Sequence, residues 1–214
     1  MRTYHQYCAL ARALDVVGDR WTLLIVRELM TLGPARYTDI RNGLPGIASN
    51  LLVDRLRELE EARILERTDA PPPVATALFR LTPRGEALRP VIHALGTWAG
   101  PTLGAWEAGD EFRSHWLVLP LEIHLAGRAP GRDLSIEVRT GDEPLAIESA
   151  GGETRVRRGP ASSPDAVVSG PPDLVLAALL GRVALDAARE RGLRVEGDAG
   201  AVEAVRAAVG AARA

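Results

Sequence analysis

Three stretches near the N-terminus decide the predicted fold: DRWTLLIVREL at residues 19–29, LPGI at residues 44–47 and LVDRLRELEE at residues 52–61. The first and third space their apolar residues as an amphipathic helix does. Between them, Pro45 disfavours helical geometry at the preceding residue and Gly46 can adopt positive φ, so the chain turns there. A strand, a loop and a second strand then follow, ending in FRLTPRG at residues 79–85. This order predicts a winged helix-turn-helix.

Capping and chain-breaking residues set the predicted helix boundaries in the first half. One helix is predicted over Ala9–Val17 and ends at Gly18, and the next ends at Gly33. The predicted N-caps of three successive helices are Asp19, Thr38 and Ser49. The two wing strands are predicted over Ile64–Thr68 and Thr76–Thr82. Pro83, at its permitted first position, starts a predicted long helix that reaches residue 99.

The second half predicts mixed α and β structure. Its first apolar segment, residues 116–125, has no decisive periodicity. The predicted strands are Leu134–Arg139, Leu145–Ser149, Thr154–Arg158, Ala166–Ser169 and Arg194–Glu196. The predicted helices cover residues 174–180, residues 184–191 and a terminal segment from Ala199. We expect an α+β chain with one domain over residues 1–109 and a second over residues 110–214.

Composition narrows the class of protein. Residues 1–106 carry 13 Arg and 11 acidic residues, a net charge of +2, whereas residues 107–214 carry 13 Arg and 17 acidic residues, a net charge of −4. Any DNA-binding surface is therefore local and lies in the first half. No apolar run is long enough for a membrane span, and the polar N-terminus is unlike a secretory signal, so we expect no membrane partner; a cytoplasmic location is what the family resemblance described below implies. The single cysteine excludes an intramolecular disulfide.

The helix after the Pro-Gly turn carries the candidate DNA-reading residues. Leu52, Leu56 and Leu59 recur at helical spacing and predict one buried stripe. The residues predicted to face DNA are Ser49, Asn50, Val53, Asp54, Arg55 and Arg57. Among them, Asn50 suits adenine, Arg57 suits guanine or a phosphate, and Asp54 repels phosphate but suits the N4 amino group of cytosine. A solvated helical face is the alternative interpretation of the same pattern.

Residues 8–98 resemble the HxlR-type winged helix-turn-helix regulators. The resemblance rests on Cys8, DVVGDRWTLL (15–24), GPARY (33–37), LPGI (44–47), RLRELE (55–60), LTPRG (81–85) and Trp98. It implies a dimeric bacterial transcription regulator that binds double-stranded DNA. Because repression is the commoner behaviour in such families, the resemblance further implies a repressor.

Residues from about 111 to 213 resemble a sterol-carrier-protein-2-like module. The segments that carry this resemblance are PDAVV (164–168), the helix at 172–180 and LRVEGD (193–198). The resemblance implies an α+β module with an apolar cavity. We therefore expect a small apolar ligand in this half, near the apolar runs at residues 116–125 and 174–180.

Polar residues outside the recognition helix are candidate phosphate contacts. Arg36, Thr38 and Arg41 lie before and within the short helix that is expected to cross the DNA backbone. On the wing, Arg67 and Arg80 are the candidates, because the predicted tip DAPPPVA (69–75) has no basic residue. A surface ion pair is the alternative for each arginine.

Cys8 matches the position at which several such regulators carry a redox- or electrophile-sensing cysteine. A sensing thiol needs positive charge or a helix N-terminus nearby, and the alternative is a small, semi-buried residue in a dimer interface. The four histidines, His5, His93, His115 and His124, have no metal-site spacing, and no catalytic motif is present. We expect no metal, no cofactor and no enzymatic activity.

The preferred hypothesis is a homodimer that presents two copies of the helix at 49–61 to successive major grooves of a palindromic operator. The N-terminal helix and the helix at 83–99 are expected to form the dimer, and an apolar ligand in the second half is expected to modulate DNA binding. One rival is an apolar-ligand carrier that uses its winged helix only for dimerisation. The other is a thiol sensor that acts through Cys8.

Overall fold

The computed structural model describes residues 3–69, 76–104 and 109–210. The chain divides into two compact units, Met1–Leu95 and Gly96–Ala214, and the boundary falls within one helix. This boundary precedes the predicted one at residue 109. Gly96 already packs with the second unit, where a Cβ on it would lie 3.0 Å from the Ile123 side chain.

Four helices and their turns build the first part of the N-terminal unit. They are α1 (Ala9–Val17), α2 (Thr22–Leu32), α3 (Tyr37–Asn42) and α4 (Ser49–Glu61). As predicted, α1 ends before Gly18, α2 ends before Gly33, and Gly46 in the turn has a positive φ of 82°. The core beneath them consists of aliphatic side chains, including Ile25, Ile40, Leu44 and Leu52.

The predicted wing is present and has one more strand than expected. Among the described residues, β1 (Ala35–Arg36), β2 (Leu65–Asp69) and β3 (Ala77–Leu81) form a sheet in the order β1-β3-β2. Both pairings are antiparallel, with Leu65 opposite Leu81 and Ala35 opposite Phe79. Strand β1 was not predicted because two residues are too few to show alternation. Residues 70–75 of the predicted tip lie outside the described residues.

The predicted N-cap at Asp19 is wrong. The cap position of α2 belongs to Trp21, which has a φ of 80°, and the helix begins at Thr22. The backbone carbonyl of Asp19 accepts from the Thr22 N–H at 3.2 Å. The Asp19 carboxylate is engaged elsewhere, by Arg55 of helix α4.

The predicted N-caps at Thr38 and Ser49 are also wrong. An N-cap needs extended backbone, which Arg36 and Ala48 adopt, whereas Thr38 and Ser49 already lie inside their helices. At the start of α3, the carboxylate of Asp39 accepts from the Arg36 N–H at 3.1 Å.

The predicted long helix over residues 83–99 is broken into two. Helix α5 covers Pro83–Glu86, and α6 covers Arg89–Ala99. Pro90 has no N–H to donate to the carbonyl of Glu86, and its ring crowds that carbonyl, so the helical ladder cannot continue across it. Helix α6 ends at residue 99, as predicted, and Gly100–Thr102 form a 3₁₀ turn after it.

The C-terminal unit has the predicted α+β composition. After a 3₁₀ turn (Ser114–Leu117), its elements are α7 (Val118–Leu125), β4 (Leu134–Thr140), β5 (Glu143–Ala150), β6 (Glu153–Arg158), β7 (Ala166–Ser169), α8 (Pro172–Leu179), α9 (Leu185–Glu190), β8 (Arg194–Gly197) and α10 (Ala199–Gly210). The five strands and three helices predicted here agree with the observed ones to within two residues at the predicted ends. Turn-forming glycine and proline residues between them explain this agreement.

One sheet organises the C-terminal unit. Among the described residues its strand order is β6-β5-β4-β7-β8, and β4 pairs with β7 in parallel while the other pairs are antiparallel. Alternate residues of the central strands enter a hydrophobic core shared with α7, α8 and α10. The apolar runs at 116–125 and 174–180 supply much of that core. Their composition is therefore explained by packing, without a ligand.

Candidate nucleic-acid interface

Helix α4 separates its buried and exposed residues cleanly. Leu52, Leu56 and Leu59 recur at i, i+4 and i+7 and are all buried, as predicted. The exposed residues of the opposite face are Asn50, Val53, Asp54 and Arg57. This face presents hydrogen-bonding side chains of the types that read base edges in a major groove.

The turn before α4 sets the angle at which the helix leaves the core. The Ile47 N–H donates to the Leu44 carbonyl at 3.2 Å, and both side chains are buried. From α3, the Tyr37 hydroxyl donates to the carbonyl of Ser49 at 3.2 Å. These contacts hold the first turn of α4 against the preceding helix.

Arg55 is a positioning residue of α4 in this structure. Its guanidinium pairs with Asp19 in the α1–α2 connection and with Glu58 on its own helix, at 2.6 Å for the latter. The Arg55 side chain is only 18% exposed. The prediction that Arg55 contacts DNA remains untested, but its guanidinium already has two carboxylate partners.

Arg57, two residues later, faces solvent. Its side chain is 62% exposed, and its Nη2 donates to Oδ1 of Asp54 at 2.7 Å. In the sequence analysis, Asp54 was the residue of this helix expected to repel phosphate. In the structure it is the ion-pair partner of Arg57, the candidate for binding guanine. The Asp54–Arg57 pair thus has no net charge, while Glu60 and Glu61 at the end of α4 are also exposed.

A buried ion pair beneath the turn was missed by the sequence reasoning. Glu28 of α2 is fully buried, and its Oε1 accepts from Arg27 Nη2 at 2.5 Å. Arg27 also donates to the Gly43 carbonyl at 3.2 Å. A Cβ on Gly43 would lie 1.8 Å from the Glu28 carboxylate, so a larger residue there would force this buried carboxylate to move. The sequence feature that could have indicated this ion pair is the adjacent Arg27 and Glu28 within the otherwise apolar run LLIVREL (23–29).

The candidate phosphate contacts of α3 are accessible. Arg36, Thr38 and Arg41 are all exposed. Arg36 and Arg41 take part in no ion pair among the described residues, so both guanidinium groups are available to an anion. Whether these three side chains contact DNA stays a prediction.

The two wing arginines differ in their partners. Arg80 on β3 pairs with Glu66 on β2 at 2.6 Å, whereas Arg67 is exposed and has no ion pair within the described part of the chain. Residues 70–75, which form most of the predicted tip and include no basic residue, lie outside that part. Arg67 is therefore the wing residue best placed to bind a phosphate.

Large apolar side chains of the N-terminal unit are exposed at two further places, which we together call the apolar surface. Its members are Tyr4, Tyr7, Leu10 and Leu14 at α1 and Val91 and Leu95 on α6. Asp15 orders the start of this surface, because its carboxylate accepts from the Thr3 hydroxyl at 3.0 Å and from the Tyr4 N–H at 2.8 Å. Cys8 is exposed and occupies the residue before α1.

Two polar clusters in the C-terminal unit stabilise its own loops. Glu137 is buried on β4, and its carboxylate accepts from Arg139 Nε at 2.6 Å and from the Ala161 N–H at 2.9 Å. The hydrogen bond from Arg139 lowers the pKa of Glu137, helped by the Ala161 N–H and opposed by burial.

The second cluster fixes the turn between β4 and β5. Burial acts to raise the pKa of Asp142, but hydrogen bonds from the Ser114 N–H and hydroxyl, each 2.9 Å long, outweigh it and leave the pKa below its usual value. The same hydroxyl accepts from the Glu143 N–H at 3.1 Å. Ser114 thus acts as a structural link.

Among the described residues, no group of three or more His, Cys, Asp or Glu side chains is arranged to hold a metal ion. No helix in the described part of the chain is long and apolar enough to cross a membrane.

Known proteins resemble the N-terminal part of this chain in sequence. Residues 16–105 match the model of the HxlR-like helix-turn-helix family. The HTH-type transcriptional regulator YodB of Bacillus subtilis (strain 168) is 37% identical over 87 residues, which cover 41% of this chain and 77% of YodB. The HTH-type transcriptional regulator YvaP of the same organism is 33% identical over 88 residues, covering 41% of this chain and 81% of YvaP.

A solved structure of the reduced form of YodB has 32% identity and a TM-score of 0.41, covering 48% of this chain and all of YodB. These relatives are named as transcriptional regulators and not as enzymes. The matched segment includes the Pro-Gly turn, helix α4 and the described wing strands. The chain therefore belongs to the HxlR-like helix-turn-helix family of transcriptional regulators.

Proposed function

We propose that the protein is a homodimeric repressor that binds a palindromic operator through helix α4. The observation that carries this proposal is the two-sided construction of α4, in which buried leucines anchor the helix and Asn50, Val53, Asp54 and Arg57 face solvent. Arg36, Thr38, Arg41 and Arg67 supply the phosphate contacts in this proposal. Repression is inferred from the family alone.

The exposed apolar surface on α1 and α6 supports dimerisation. Single apolar side chains on a surface are ordinary, but several along two helices of one unit indicate a covered interface. We assign this surface to a second copy of the chain, because two-fold pairing presents two α4 helices at the spacing of successive major grooves, about 34–36 Å.

Two substitutions separate dimerisation from DNA binding. Leu10→Asp places a charge on the apolar surface and should yield a monomer with weakened operator binding. Val53→Asp places the same charge on the exposed face of α4 and should leave the dimer intact while weakening DNA binding. Light scattering measures the oligomeric state. Fluorescence anisotropy measures DNA binding, with operator DNA that the wild-type protein has selected from a random pool. A wild-type protein that is monomeric at micromolar concentration would contradict the dimer proposal.

The regulatory role needs a test in cells. A reporter gene placed behind the selected operator should be silenced by the wild-type protein and released by Arg57→Ala. Increased reporter expression with the wild-type protein would identify an activator. An unchanged Arg57→Ala variant, in binding and in the reporter, would instead favour the carrier hypothesis.

We further propose that the C-terminal half, residues 110–214, is a sterol-carrier-protein-2-like module that binds a small apolar ligand and changes operator affinity. Its α+β construction is compatible with this proposal, although the apolar runs that motivated it pack into the core. Such control requires different ligand affinity in the DNA-binding and free forms. Native mass spectrometry of the full chain should reveal extra, extractable mass. A bare protein, together with no effect of added fatty acid on operator affinity, would remove this part of the proposal.

A thiol sensor is the second candidate function. It is favoured by the exposure of Cys8 and by its position directly before α1, next to the proposed dimer surface. Oxidation by diamide should then change operator affinity in the wild-type protein and leave Cys8→Ser unaffected. Equal responses of the two proteins would eliminate Cys8 as the sensor.

A further inference from the structure

The exposed face of α4 carries a charge pair whose composition matches one base pair. Asp54 and Arg57 lie three residues apart, one helical turn, and their side chains are joined by the 2.7 Å hydrogen bond described above. Both side chains are more than half exposed. An exposed pair of this kind contributes little to stability, so its placement on the DNA-facing surface calls for another explanation.

The chemistry of the pair supplies that explanation. In the major groove, a G·C pair presents two acceptors, N7 and O6 of guanine, followed by the N4 donor of cytosine. Arg57 offers several N–H donors in a planar fork, and Asp54 offers carboxylate acceptors only. Side by side they present donors next to an acceptor, which is the complement of the G·C edge. On this basis we propose that Asp54 and Arg57 act as one unit that selects a G·C pair in each operator half-site.

Asp54 is the specificity-determining member of this unit. An A·T pair places the N6 donor of adenine where Arg57 needs an acceptor, and it offers Asp54 only a carbonyl oxygen. A phosphate attracts Arg57 but repels Asp54. The pair therefore penalises both the wrong base pair and sequence-independent binding, and its zero net charge limits counterion release from nonspecific DNA.

This inference rests on the proposed DNA binding through α4, and its test separates the two. The full-length wild-type protein is used to select sites from a random double-stranded DNA pool. Anisotropy titrations then compare the selected site, the same site with G·C replaced by A·T, and random-sequence DNA. The variants are Asp54→Ala and Arg57→Ala. The matched control for Asp54→Ala is Glu60→Ala, which removes an exposed acid from the same helix about 120° from Asp54 around its axis.

We expect the wild-type protein to enrich a G·C pair in each half-site and to bind the A·T version about 5- to 150-fold more weakly. Asp54→Ala should lose most of this preference, bind random DNA more tightly and steepen the salt dependence by about one unit of slope per subunit. Arg57→Ala should lose the preference without gaining affinity for random DNA. Glu60→Ala should keep the wild-type preference.

Two results would overturn the inference while leaving the proposed function intact. One is a selected site without a recurrent G·C pair, and the other is an Asp54→Ala variant that discriminates as the wild-type protein does. A wild-type protein that enriches no sequence would overturn the proposed function and this inference together. Circular dichroism of each variant checks that the fold is retained, as the exposure of both side chains predicts.

Discussion

The two units of this protein use their apolar residues in opposite ways. The N-terminal unit leaves Leu10, Leu14, Val91 and Leu95 exposed along two helices. The C-terminal unit gathers its leucines, isoleucines and valines into one core beneath its sheet, and the large apolar side chains exposed among its described residues are Trp98 and Leu103.

The contrast bears on the proposed dimer. If the apolar side chains exposed on α1 and α6 are covered by a second copy, the N-terminal unit completes its packing by association. The second unit has a core of its own, drawn from both its sheet and its helices. Substitutions in the first unit should therefore affect assembly and DNA binding, whereas core substitutions in the second should affect its own stability.

The largest expected effect is in the C-terminal core. Leu179 is fully buried, so Leu179→Ala should lower the free energy of unfolding of its unit by about 2–5 kcal/mol, because the removed atoms leave a cavity. The matched control is Leu103→Ala. Because the Leu103 side chain is 72% exposed, this substitution should change the free energy of unfolding by less than about 0.5 kcal/mol. Calorimetric unfolding measures both. Similar effects of the two changes would mean that the second unit lacks a close-packed core.

A smaller effect is expected at the helix-turn-helix. Gly43→Ala would push a methyl group against the buried Glu28 carboxylate and should destabilise the N-terminal unit by about 1–3 kcal/mol. Gly100→Ala is the control, since nothing lies within 4 Å of its added Cβ. Chemical denaturation followed by circular dichroism compares them. Equal stability of the two variants would show that Glu28 moves aside freely.

Two arginines of α4 should separate stability from DNA binding. Arg55→Ala removes a mostly buried guanidinium with two carboxylate partners and should cost about 1–2 kcal/mol of stability. Arg57→Ala should change stability by less than about 0.5 kcal/mol, because its side chain is exposed, and should act on DNA affinity instead. Melting temperatures and anisotropy titrations provide the two measurements. The reverse pattern would exchange the roles assigned to these residues.

The smallest expected effect concerns pH. The pKa of Glu137 is lowered in the folded protein, so the stability that this group contributes is present above its unfolded pKa and is lost as the pH falls through its folded pKa. Glu137→Gln should therefore flatten the acid side of the stability profile of the C-terminal unit. Glu153→Gln, at an exposed side chain, is the matched control. If the free energy of unfolding of the wild-type protein and of Glu137→Gln fell in parallel as the pH is lowered, Glu137 would not contribute to acid-dependent stability.

Much of the secondary structure was predictable because local signals agree with the tertiary context. The leucine stripe of α4, the Pro-Gly turn and the glycine-bounded strands of the second unit all have a periodicity or a chain-breaking residue. The misses had other causes. The N-caps at Thr38 and Ser49 were predicted from residue type, but the extended backbone of an N-cap is found at Arg36 and Ala48. The prediction of one long helix ignored Pro90, which interrupts it.

The sequence by itself determined the helix-turn-helix, the wing strands, the two-part organisation and the buried stripe of α4, because periodicity and turn residues are local properties. Only the tertiary structure distinguished Arg55 from Arg57 and placed Glu28 against Gly43, whereas the i, i+3 spacing of Asp54 and Arg57 on one helix already allowed their pairing. Arg55 meets Asp19, 36 residues earlier, through chain folding that no local pattern records. Ion pairs depend on distance in space, and in this helix they distinguish Arg55, held by the distant Asp19, from Arg57, which faces solvent and is the arginine proposed to contact DNA.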